Sequence, residues 1–432
     1  MWTRPSADRD ADRVDRVSRL FTLAAGRRRS LAAHKKPVDC VAWNRNGTKL
    51  ASASRDMAIR VWSADARGTL SDVSVELKGH TDDVARVSWH PTHTHLLASC
   101  SADKSVKLWD TAAAASSGKQ LLYSMNTIGM NLHLRWSPDG KYLLLLNSSN
   151  LLSLISWDPQ TNKLMVLKSI GFALDINDFA WAPIVNTAAT GTGAGAGSVA
   201  AASASSSPSS AAASSVAPGS DRVILGHHNG SLEIVSIPAL VKLASIPAHG
   251  STVFCMDVSP NGKLLATGAA DSMVHLWELV DLVPLRSFMR MDDSIRALSF
   301  NADGSLLAYG GKDLRIEIAD VATGARVALL DNLPAETLAL AFNPALSCSM
   351  QLAYATGDKA RTQGEIHILH AALTTAAPSS SSTAAPAQKP ATVKSEAATA
   401  DSATPRGVVK AEPRPSKAAA SSSSDTSAPM TN

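Results

Sequence analysis

Apolar and polar residues alternate in short runs along most of this chain, and a period of two marks strands with one buried face. One such run, ending in an aromatic residue and a turn, recurs seven times. The copies are VDCVAWNRNG with Trp43, VARVSWHP with Trp89, NLHLRWSPDG with Trp136, INDFAWAP with Trp181, VFCMDVSPNG with Val258 in the aromatic's place, IRALSFNADG with Phe300 and TLALAFNP with Phe342. These anchors lie 46, 47, 45, 77, 42 and 42 residues apart. The interval of 77 contains a foreign stretch, Asn186–Ser220, and removing its 35 residues leaves 42. A second strand follows each anchor, as in KLASASRD, LLASCSAD and LLATGAAD. A third comes next, as in AIRVWSA, SVKLWDT and MVHLWEL. NG and DG turns separate the strands, as hairpins require. A constant period of this length means a repeat architecture whose units stack against their neighbours.

Units of 42–47 residues with several strands and a terminal Trp-Asp resemble the WD-repeat β-propeller family. LWD at Leu108–Asp110 and KGH at Lys78–His80 carry the likeness best. The expected fold is therefore all-β, a seven-bladed WD-repeat β-propeller. In three units a His precedes an Asp by 22 or 23 residues, and a Trp follows that Asp by six: His34, Asp56, Trp62; His80, Asp103, Trp109; His249, Asp271, Trp277. An Asp in a tight turn can accept from the imidazole, the imidazole can reach a strand hydroxyl, and the hydroxyl can reach the indole. Ser54 and Ser101 are the expected hydroxyls. Such a network rigidifies a blade. Ala269 stands at the matching place in the fifth repeat, so its network is expected to be incomplete. Repeats three, four, six and seven lack the full set and are expected to rely on apolar packing. The trio recurs in register, which favours a structural role over metal binding or catalysis.

A ring must hide its last edge. RRSLAAH, Arg28–His34, lies where an outermost strand belongs, so Ser30–Ala33 is expected to complete blade seven. The expected organisation is a basic extension, 1–28, with a short helix over Val14–Ala24; a propeller, 29–370; a disordered insert, 186–220, in blade four; and a disordered Ala/Ser/Pro-rich tail, 371–432. GTGAGA, Gly191–Ala196, has no strand before it and no helix pattern after it, so it does not read as a dinucleotide site.

Hydrophobic residues make up 45% of the 432 positions and charged residues 18%, enough for a large core. No apolar run is long enough to span a membrane, and the amino end has no signal-like apolar region. The net charge of +4 is unevenly spread, with +6 over residues 1–36, +2 over 371–432 and hence −4 between. Any electrostatic contact with nucleic acid is expected at the ends, with Arg27–Arg29 as weak or indirect RNA contacts. The four cysteines are widely separated, and a reducing compartment fits them. Lys394 and Lys410 each sit in an apolar-Lys-x-Glu pattern that fits sumoylation.

No catalytic motif is present, and no cofactor or metal is expected. His90, His93 and His95 cluster in HPTHTH, but structural zinc wants four fixed ligands, so this reads as a solvated loop. Function then belongs to the faces. The starts of the innermost strands place Asp39, Asn177, Phe254 and Arg296 on the face of the inter-blade loops. The ends of the second strands add Arg55, His228 and Lys312. An exposed Phe among cations has the character of a protein-binding hot spot.

From Arg28 to His370 the blades, read in order, resemble the subunit 3 family of the THO/TREX mRNA-export complex. HKKPVDCVAWNRNGTKLASASRD, GHTDDVARVSWHP, SLEIVSIPALVKLASIPAH, ELVDLVPLRSF and the Trp-less IEIADVATG carry this likeness. The irregular turn Gly357–Gly364 also matches, whereas the insert and the long tail depart from the family. The resemblance implies a non-enzymatic nuclear scaffold whose partners are other THO subunits, export adaptors and a DEAD-box helicase, with no membrane contact. The alternative is an adaptor of another complex, a ubiquitin-ligase substrate receptor or a histone-binding platform.

Overall fold

A computed structural model describes residues 28–65, 68–113, 120–182, 221–345, 350–357 and 364–371. The expected helix at Val14–Ala24, the insert, the turn inside Gly357–Gly364, the tail and its Lys394 and Lys410 lie outside the described residues. Described residues form 28 strands and no helix, in seven four-stranded antiparallel sheets. Six sheets are consecutive meanders. Blade one is typical, with Val38–Trp43 innermost, then Lys49–Ser54, Ile59–Ala64 and Leu70–Leu77 outermost. The seventh takes Glu336–Phe342, Met350–Gly357 and Gly364–Ala371 from one end of the ring and Arg28–His34 from the other. Leu31 pairs with Ile366 and is 4% exposed, so the amino-terminal strand is packed as well as hydrogen-bonded. Arg29 donates to the Leu70 carbonyl and the Asp72 carboxylate of blade one. That cation is committed to the latch, which weighs against the expected RNA contact there.

The core lies between sheets. Each cluster joins the inner strands of one blade to the next, as where Trp43, Leu50 and Trp62 of blade one pack against Ala353 and Ile366 of blade seven. The anchors do more than fill space. Trp89 Nε1 donates to the Ala42 carbonyl at 2.9 Å, Trp43 Nε1 to that of Ala341 at 3.2 Å and Trp181 Nε1 to that of Arg135 at 3.4 Å, each in the preceding blade.

The His–Asp–Trp units form networks, but through other hydroxyls than expected. His80 Nδ1 donates to Asp103 Oδ2 at 2.7 Å, Ser99 Oγ bonds His80 Nε2 at 2.7 Å, and Trp109 Nε1 donates to Ser99 Oγ at 2.8 Å. In blade one His34 Nδ1 lies 2.9 Å from Asp56 Oδ2 and its Nε2 2.6 Å from Ser52 Oγ, with the Trp62 ring edge-on at 6.2 Å. Ser54 and Ser101 instead bond the carbonyls of Lys36, Pro37 and Asp82. The reason is reach. Ser99 and Trp109 are diagonal neighbours, since Trp109 pairs with Leu97, whereas Ser101 is two residues further along the strand. The fifth blade is complete, because Thr267 Oγ1 accepts from Trp277 Nε1 at 3.0 Å and meets His249 Nε2 at 2.8 Å, while His249 Nδ1 faces Asp271 at 3.1 Å.

The remaining blades are not purely apolar either. In blade six Tyr309 donates to Glu317 at 2.7 Å and Arg290 to the same carboxylate at 2.6 Å; in blade four Lys242 donates to the buried Glu233 at 2.8 Å. Buried polar groups need such partners.

Candidate partner-binding face and central channel

Every innermost strand starts with the same irregularity. Register slips between its first and third residues in six blades, leaving the second unpaired, and between the second and fourth, Thr337 and Ala339, in blade seven. A bulge re-aims a side chain and often borders a functional site. The bulge residues are Asp39, Ala85, Leu132, Asn177, Phe254, Arg296 and Leu338. They share one face because all seven strands start there. The second strands end on the same face, since Val38 pairs with Ser54, Ile176 with His227 and Ile295 with Gly311. Arg55, His228 and Lys312 follow those ends.

Several expected face residues engage one another. Arg55 grips Asp39 with Nε and Nη2 at 2.8 and 2.9 Å, so the two charges neutralise each other. The Arg296 guanidinium lies 3.8 Å from the Phe254 ring centroid, a cation–π contact between neighbouring bulges. Arg296 Nε and Asn177 Nδ2 have no protein partner. His228 Nδ1 meets Thr252 Oγ1 at 3.0 Å. Lys312 is exposed.

Behind the bulges, the residue that follows each bulge and, in every blade but the fourth, the one two places further on line a central cavity of about 620 Å³. Most are small or apolar, but Arg86, His133, Arg135, Asp178 and Asp257 are not. Asp178 is the hub. It accepts from Arg135 Nη2 at 3.1 Å and from the backbone N–H of Met256 at 2.9 Å, while His133 Nδ1 stands 3.4 Å away. Burial pushes the Asp178 carboxyl up, but the cations Arg135 and Arg86 and the His133 hydrogen bond outweigh it and hold it far below the usual range. Burial wins at Asp257, pushed up to about 6 with Arg135 offsetting only part. Asp257 nonetheless accepts the Phe300 N–H of the next blade at 2.9 Å. Ser88 and Ser299 likewise accept the anchor N–H groups of Trp136 at 3.3 Å and Phe342 at 3.1 Å. These side chains clamp blade to blade. Burial raises the Cys255 thiol well above its ordinary value and Cys100 to about 12, so neither is poised as a nucleophile.

HPTHTH is not a uniformly solvated loop. His93 and His95 are exposed, but His90 is 2% exposed and packs against Trp136 and Trp157 at 4.7 and 4.8 Å between ring centroids. Its Nδ1 accepts the N–H groups of Thr92 at 3.2 Å and His93 at 3.1 Å, which occupies the lone pair a metal would need. Burial pushes His90 down to about 4.

Sequence reasoning missed the channel charges and the clamps. Their signal was charge at the third or fifth position of strands whose other copies carry Ala or Cys there.

The model of the WD domain, G-beta repeat, matches residues 26–63, 71–110 and 240–278. Those segments hold the three His–Asp–Trp networks. The chain is a seven-bladed propeller with WD40 repeats. It is 33% identical over 230 residues to THO complex subunit 3 of Arabidopsis thaliana, covering 53% of this chain and 59% of that protein. It is 31% identical over 189 residues to WD repeat-containing protein AAC3 of Dictyostelium discoideum, covering 40% and 37%. A shorter match, 38% over 96 residues, is to the nuclear distribution protein PAC1 of Ajellomyces capsulatus, covering 22% of this chain and 20% of that one. The chain thus spans less than two thirds of the length of each of these relatives.

Proposed function

We propose that this WD40 propeller is a non-enzymatic nuclear scaffold that docks other subunits of a THO-type mRNA-export assembly. The similarity to THO complex subunit 3, which extends beyond the three matched repeats, carries this reading. Two features support it: the channel charges are committed to inter-blade bonds, and the bulge residues, of which Leu132 is exposed and the others, Phe254 included, are half-buried, border the face on which partners would dock. Export adaptors and a helicase would then be recruited through the assembly, with RNA contacted weakly or through other subunits.

Affinity purification of the full chain from nuclear extract tests the reading. Stoichiometric recovery of the large THO subunits is the expected result. Recovery of a cullin-linker pair or of histones in their place would overturn it.

A further inference from the structure

Ser30 stands in the latch strand, Arg28–His34, with its side chain exposed. The residues around it read Arg27, Arg28, Arg29, Ser30, Leu31. Arginine three and two places before a hydroxyl, with an aliphatic side chain just after it, is the pattern that arginine-directed serine kinases select. Their clefts carry carboxylates for the guanidinium forks and an apolar pocket beyond the acceptor. No other Ser or Thr in the sequence has arginine at both places.

The closed blade withholds that pattern. Ser30 pairs with His367, Leu31 is 4% exposed and packs in the core shared with blade one, and Arg29 is bonded to the Leu70 carbonyl and to Asp72. A kinase cleft takes its substrate extended and reads side chains on both of its faces, so it can engage this strand only after the strand has peeled from Gly364–Ala371. The latch is an outermost strand, paired along one edge alone, and such an element opens locally without unfolding the rest.

The open and closed strands differ in what they offer a phosphate. Off the blade, the arginines next to Ser30 are free to pair with it. On the blade, Arg29 turns to Asp72 on the other face of the sheet, and Arg28 lies beside the Tyr354 hydroxyl and His367. Burial pushes the His367 ring below its ordinary value, so it stays neutral, and its Nε2 is 3.6 Å from the Glu365 carboxylate. A dianion set opposite His367 therefore meets the charge of Glu365, with Arg28 to offset both.

We propose that Ser30 is the acceptor of an arginine-directed protein kinase, which takes the latch strand in its open state and leaves it phosphorylated and slower to close. Ser30 Oγ attacks the γ-phosphorus of ATP, the bond to the β-phosphate oxygen breaks, ADP leaves, and the hydroxyl proton passes to the catalytic aspartate of the kinase. The modification acts on ring closure and does not depend on which partner docks on the inter-blade face.

The test incubates the full chain with the catalytic subunit of cyclic-AMP-dependent kinase and magnesium ATP, and maps the product by mass spectrometry. Phosphate is expected at Ser30. The rate there should fall roughly tenfold or more in an Arg27→Ala, Arg28→Ala variant, which lacks the paired guanidinium forks. It should rise a few-fold in Asp72→Ala, which frees Arg29 and leaves the recognised residues as they are. Thermal melts of both variants confirm that they fold. Hydrogen–deuterium exchange at residues 364–371 should be faster in the phosphorylated chain than in the unmodified one. An unmodified Ser30, a rate indifferent to the two arginines or to Asp72, or exchange at 364–371 that is unchanged or slowed would overturn the proposal.

Discussion

Asp178 Oδ2 accepts the backbone N–H of Met256 at 2.9 Å, binding blade four to blade five from within the channel. The same carboxylate holds Arg135 of blade three, whose Nη2 also reaches the Met256 carbonyl at 3.1 Å. One side chain thus ties three blades. Asp178→Ala is expected to destabilise the protein by roughly 1–3 kcal/mol, since it leaves the buried Met256 amide without its acceptor and the half-buried Arg135 without its counter-charge. Urea unfolding checks this; an unchanged midpoint would contradict the clamp.

Trp109 is 1% exposed, and Trp109→Ala is expected to cost roughly 3–5 kcal/mol, as large buried aromatics do. Ser99→Ala leaves both His80 Nε2 and Trp109 Nε1 without their partner and is expected to cost about 1–3 kcal/mol. Ser101→Ala should leave the Trp109 near-ultraviolet dichroism as it is, whereas Ser99→Ala should alter it.

That pair of serines shows where the sequence stopped being readable. Ser99 and Ser101 have the same parity, and a period of two fixes a residue's face but not its height along the strand. The repeats, the anchors and the latch strand were legible because each is a local pattern or follows from hiding an edge. The bulges were not, because the change of parity each one makes, visible in the burial of both Cys40 and Val41, leaves too few residues on either side within a six-residue strand to fix either phase. The channel was hidden for another reason: Arg135 and Met256 are 121 residues apart, and only the closed ring makes them neighbours. The exposed aliphatics Ile128, Met130 and Leu132 were passed over because the expected face was assembled from charges and one Phe.

Acid should act on the networks before it acts on the core. Burial raises Asp56 and Asp103, but hydrogen bonds from their histidines, Ser105 and backbone amides hold both carboxyls at about 2 against an ordinary 3.8. Depressed carboxyls contribute stability that is present above 3.8 and lost as pH falls toward 2. Each should be worth roughly 2 kcal/mol at neutral pH. Urea midpoints should fall steeply across that window, and less steeply in Asp56→Asn.

Asp257 has the opposite sign. Raised to about 6, it binds a proton in the folded state that the unfolded chain has already released, so stability should decline as pH climbs from 3.8 to 6 and level off above. Asp257→Asn keeps an acceptor for Phe300 N–H and should flatten that decline. A variant whose pH profile retains the slope would assign it to another group.

Removing residues 1–34 takes away the strand that pairs with Gly364–Ala371 and also the His34 network. The bared edge should promote association. Size-exclusion chromatography is expected to show oligomers and aggregates in place of the parent species.

Hydrogen–deuterium exchange of the full chain, alone and with a THO assembly purified without this subunit, tests the central claim most directly. Protection is expected at residues 127–132 and 172–177 and at the starts of the innermost strands. Protection confined to the opposite ends of the blades, such as 137–141 and 159–162, or none at all, would contradict it.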